Sequence, residues 1–63
     1  MIKKMYKVEV KYTRIAIPDV IYFSDQEQAH RFKISKEQNN PAVVWATMKK
    51  SVIKEIEEGT QYL

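Results

Sequence analysis

Few residues in this chain could do covalent chemistry. His30 is the only histidine and there is no cysteine. A metal centre needs several nitrogen, sulfur or carboxylate ligands converging, so a single imidazole beside Arg31 reads as a solvated polar side chain. Ser24, Ser35 and Ser51 have no base placed beside them in any nucleophile pattern. Glu55, Glu57 and Glu58 are close in sequence, but such an acidic run is ordinarily a solvated face. Gly59 is the sole glycine, which excludes a glycine-rich phosphate loop. The expectation is a protein that is not an enzyme and holds no cofactor and no metal.

What remains is binding chemistry. Trp45, Tyr22, Lys7, Lys11 and Lys49 are the side chains suited to it, since aromatic residues anchor protein contacts and lysines with aromatics can stack bases and neutralise phosphates. The basic residues are unevenly spread. Lys3, Lys4, Lys7, Lys11 and Arg14 fall in the first fourteen positions, whereas Glu55, Glu57 and Glu58 lie near the other end. A net charge of +3 is low for a dedicated nucleic-acid binder, and no RNP-type aromatic-glycine motif is present.

The elements that position these residues follow from periodicity. Tyr6, Val8, Val10 and Tyr12 alternate with Lys7, Glu9, Lys11 and Thr13, the period of a strand with one apolar and one polar face. Residues 15–19 break the pattern, because Pro18 cannot donate to a ladder. Val20, Ile21, Tyr22 and Phe23 form a second strand, hairpinned onto the first. Ser24 followed by Glu27 reads as a capping box, with Ser24 accepting from the Glu27 amide. A helix then runs to about Gln38, with Ala29 and Phe32 on its inner stripe, Ile34 off it, and Phe23 as a staple from before the cap. Asn39, Asn40 and Pro41 end it.

Residues 42–48 are predicted to form a third strand. On strict alternation, Val44, Ala46 and Met48 face inward and Val43, Trp45, Thr47 and Lys49 outward. Val52, Ile53 and Ile56 fit a short helix stopped at Gly59, and a final strand is the alternative. The predicted fold is a single α+β domain spanning residues 1–63. Its order is β-β-α-β, with an antiparallel three-stranded sheet, the first strand central and the helix on one face. A third strand lying parallel beside the second is the other arrangement. The open face would carry Lys7, Glu9, Lys11, Trp45 and Lys49, joined by Tyr22 or Phe23. Trp45 becomes a second core layer if the C-terminal segment folds across that face, and an exposed anchor if it does not.

Sixty-three residues without a disulfide leave a small core that pairing would reinforce. The arrangement resembles that of very small phage-encoded proteins that bind and inhibit a host enzyme. The resemblance is one of fold alone, carried by no motif. The expected function is a non-catalytic protein-binding module, an inhibitor or modulator of a larger protein, with another protein or a second copy of itself as partner. A nucleic-acid-binding sheet face is the alternative. No signal peptide is visible and no apolar run reaches the ~20 residues of a membrane helix, so a cytoplasmic protein without membrane association is expected.

Overall fold

The computed structural model describes residues 2–63, ordered β1 (Lys3–Tyr12), β2 (Asp19–Phe23), α1 (Gln26–Asn39), β3 (Val43–Ile53) and β4 (Gln61–Tyr62). The result is a small α+β domain with one helix and a mixed four-stranded sheet in the order β3-β1-β2-β4. β1 is central and pairs antiparallel with both β2 and β3. The expected antiparallel trio is therefore present, but a fourth strand extends it, with β4 parallel to β2.

Alternation along β1 splits the sheet into two faces. Tyr6, Val8 and Val10 lie opposite Phe23, Ile21 and Asp19 on one side and Lys50, Met48 and Ala46 on the other. This is the helix face. Val8, Val10, Phe23 and Ala29 form its buried centre, with Tyr6, Tyr12, Ile21, Phe32, Val43, Ala46 and Met48 packed around them. Phe23 meets Phe32 with ring centroids 5.3 Å apart and planes tilted by 50°; it packs on the helix, but two residues before the Asp25 cap and against its seventh residue, not as the staple expected.

The helix begins one residue later than the capping box predicts. Asp25 is the N-cap, and its carboxylate accepts from the Glu27 amide at 3.0 Å. The Ser24 hydroxyl instead donates to the Leu63 carbonyl at 3.2 Å. Both residue types cap well, and β4 resolves the choice by engaging Ser24, whose amide also bonds Leu63. Glu27 turns outward to Arg31 as an i,i+4 pair.

β3 departs furthest from expectation. It does not stop at Met48 but runs through Val52 to Ile53, held by Lys3, Lys4 and Met5 of a β1 that starts earlier than its apolar alternation indicates. The anticipated short helix over Val52, Ile53 and Ile56 is replaced by strand and then loop. The parity of the first β3 residues is also reversed. Lys11 pairs with Trp45, but Tyr12 pairs with Val43, leaving Val44 as the extra residue of a bulge. A bulge switches the faces of what precedes it. Val43 therefore packs on the core cluster, and Val44, expected inward, is 57% exposed.

Candidate binding face and free edge

The second face is built from the odd-numbered residues of β1 and their partners. Lys7 lies opposite Tyr22 and Lys49, Glu9 opposite Val20 and Thr47, and Lys11 opposite Trp45. The register thus brings Trp45, Lys7, Lys11, Lys49 and Tyr22 onto one face, and Phe23 is the partner that turns inward. Their surroundings differ sharply.

The lower end of this face is covered. Residues 54–60 pass from β3 to β4 on the opposite edge, and Glu57 donates its amide to the Tyr62 hydroxyl at 3.2 Å. Tyr62 stacks on Tyr22 at 5.2 Å between centroids, the planes 12° apart. Met5 and Ile53 share this end and are buried, although neither belongs to the core under the helix. Tyr22 is therefore half-buried and spent on an internal contact. Sequence reasoning left open whether Tyr62 packs back or frays, and it packs back; Met5 as a member of this second layer was missed. The odd position of Met5 in the β1 alternation was the available signal.

The middle of the face sets two ammonium groups around one carboxylate. Glu9 sits between Lys7 and Lys49, with its Oε1 3.5 Å from one ammonium and 3.7 Å from the other. The Lys11 ammonium folds over the end of the sheet to donate to the carbonyls of Tyr12 and Ile15, closing the loop after β1. All three lysines singled out for binding thus have partners within the chain.

The upper end is open. Trp45 is 40% exposed and no segment crosses it, so the C-terminal crossing covers Met5 and Tyr22 rather than the tryptophan. No group of three or more histidine, cysteine or carboxylate side chains able to hold a metal occurs among the described residues, and His30 is exposed. No helix among them is long and apolar enough to cross a membrane.

The two edges of the sheet differ as well. β2 is covered by β4 over Ile21 and Tyr22, whereas among the described residues no strand pairs with the outer side of β3. The direction of its backbone groups follows from β4. The Tyr22 carbonyl accepts from Leu63 and the Ser24 amide donates to Leu63, so the even residues of β2 are turned towards β4. Neighbouring residues of a ladder point to opposite sides. Ile21 and Phe23 therefore bond to Val8 and Tyr6; Lys7, Glu9 and Lys11 bond to Lys49, Thr47 and Trp45. The N–H and C=O groups of Ala46, Met48, Lys50 and Val52 are left facing the free edge.

No protein-family model, curated protein or solved structure matches this chain.

Proposed function

We propose that the protein is a small non-catalytic protein-binding module, acting as a modulator or inhibitor of a larger protein partner through the upper half of the second sheet face. The observation that carries this reading is the contrast between Trp45 and its lysine neighbours. Trp45 is exposed on β3, just past the bulge, the position of an aromatic anchor at a protein contact. Lys7 and Lys49 share Glu9, and Lys11 is held by the loop. A polyanion would have to compete with those pairs, and the neighbouring Glu9 carboxylate would repel phosphate. An apolar pocket on a protein partner meets no such obstacle. The nucleic-acid alternative has the weaker support for this reason.

The test is capture from a lysate of the source cell by tagged wild-type chain and by Trp45→Ala, each with and without nuclease. A nuclease-resistant protein partner whose affinity falls by about 2 kcal/mol in Trp45→Ala supports the reading. A catch that disappears with nuclease, or one indifferent to Trp45, overturns it.

A further inference from the structure

From the free edge of β3 we infer that the chain forms a two-fold dimer, β3 pairing antiparallel with β3 of a second copy about Met48, so that the two sheets join into one of eight strands. This extends the binding-module reading from the sheet face to its edge, and either can fail without the other.

The argument starts from length. β3 has eleven residues, about twice a typical strand, with one side unpaired. Chains normally shield such an edge by shortening it, by a covering segment, or by proline, lysine or a bulge. β2 is shielded by β4. β3 has no proline and no covering strand among the described residues; it carries Lys49 and Lys50 and one bulge, at Val44 near its start, which leaves Trp45–Ile53 in regular register and makes the placing of the two lysines decide how the edge can pair.

The residues then select a register. Met48 is the midpoint of Val43–Ile53, so a dyad there overlaps the whole strand. It also matches the backbone: Met48 is one of the residues whose N–H and C=O face outward, as a hydrogen-bonded pair across the dyad requires. In this register Ala46 lies opposite the second copy's Lys50, Thr47 opposite its Lys49, and Trp45 opposite its Ser51. No lysine faces a lysine. Moving the dyad to Lys49 or Lys50 puts like charges directly opposite, which destabilises a cross-strand pair.

Val52 is 52% exposed on the helix side of this edge, and a β-branched residue gains by packing on a neighbouring strand, which the second copy's β3 supplies. The depression lined by Gln26, Glu27, His30 and Met48 falls at the dyad, where the two helices lie on the same side of the joined sheet. Both Trp45 side chains remain on the opposite side, so pairing doubles the proposed contact face without covering it.

The absence of native cysteine permits a direct test. Sedimentation equilibrium of the wild-type chain at submillimolar concentration should give twice the 7.5 kDa chain mass. Thr47→Cys and Lys49→Cys alter exposed side chains. Mixed and oxidised, they should form the heterodisulfide in preference to either homodisulfide, because those positions face each other across the dyad. Lys50→Pro removes an outward amide and no bond to β1, a place where an edge strand tolerates proline, and should shift the mass to that of the monomer. A monomeric wild type overturns the dimer and leaves the Trp45 reading standing. A dimer in which the mixed pair has no advantage overturns the register and with it the edge. Should Lys50→Pro fail to fold, the mass and cross-linking of the folded variants decide.

Discussion

The two faces of this sheet come from the same strands and share every backbone hydrogen bond, yet they are finished differently. The helix face is closed at its centre: Val8, Val10 and Ala29 are at most 1% exposed, and Phe32 closes over Phe23, while Lys4, Lys50 and Val52 at its lower margin stay exposed. The second face is closed only at its lower end, where residues 54–60 and Tyr62 shelter Met5 and Ile53. Above that it passes from the Lys7–Glu9–Lys49 group to an exposed indole. The helix lies on one face, and residues 54–60 with Tyr62 cover only the lower end of the other.

The largest expected effect lies on the closed face. Phe23→Ala removes the ring that joins β2 to α1 and leaves a cavity in the only core beneath the helix. A loss of about 3–5 kcal/mol is expected, a large part of the stability of any small domain. Chemical denaturation should show a chain largely unfolded near room temperature. A cooperative transition close to that of the wild type would mean that the helix face is not the main core.

Tyr62→Ala tests the half-closed end. It removes the stacked partner of Tyr22 and the acceptor for the Glu57 amide. The aromatic pair alone is worth ~0.5–1.5 kcal/mol beyond its buried area, so a loss of about 1–2 kcal/mol is expected. The effect should be local, with β4 detaching while β1, β2 and β3 persist. Trypsin should then cut after Lys54 faster than in the wild type, while cleavage at Lys7 and Lys11 changes little. Uniform acceleration at all sites would show that the two layers fold as one.

The helix start offers a sharper contrast between two adjacent residues. Asp25→Ala should cost ~1 kcal/mol by removing the N-cap acceptor, lowering Tm by roughly 4–8 °C. Ser24→Ala loses only an exposed bond to the Leu63 carbonyl and should cost less than half as much. Thermal melts of the two variants settle which residue caps α1, and a larger loss for Ser24 would restore the reading made from sequence.

That exchange shows where local patterns stop being informative. The alternation of β1 is a property of consecutive residues, so the strand, its inward face and the lysines on its outward face were legible, as were Phe23 against Phe32 and the stop at Asn40 and Pro41. The cap was not, because Ser24 and Asp25 are equivalent until β4 engages one of them. The bulge at Val44 was invisible for a similar reason: Val43, Val44 and Trp45 are all strand formers, and only pairing with Lys11 and Tyr12 reveals the extra residue. Val52 and Ile53 fit a helical stripe equally well until Lys3 and Lys4 claim them as strand partners. Each miss depends on a residue far away in the chain. The candidate face survived them, because Trp45, Thr47 and Lys49 lie beyond the bulge and keep the parity that alternation assigns.

The smallest expected effect on stability carries the most information about the open face. Glu9→Gln removes the carboxylate that Lys7 and Lys49 share. Pairs of this kind on a surface contribute at most ~1 kcal/mol, and glutamine keeps the shape and an acceptor, so Tm should move by only a few degrees. The charge of the face changes much more: the chain's net +3 rises by one, and two ammonium groups lose their neutralising partner. If Glu9 is what keeps polyanions off this face, the variant should be retained on a heparin column to a higher salt concentration than the wild type and should bind single-stranded DNA with a steeper salt dependence, as expected when more phosphates are neutralised. Capture of a protein partner through Trp45 should meanwhile be unaffected, because the indole lies beyond the Lys7–Glu9–Lys49 group. The opposite pattern, strong DNA binding by the wild-type chain that Glu9→Gln leaves unchanged, would show that the pairs open freely and that the lysines serve nucleic acid after all.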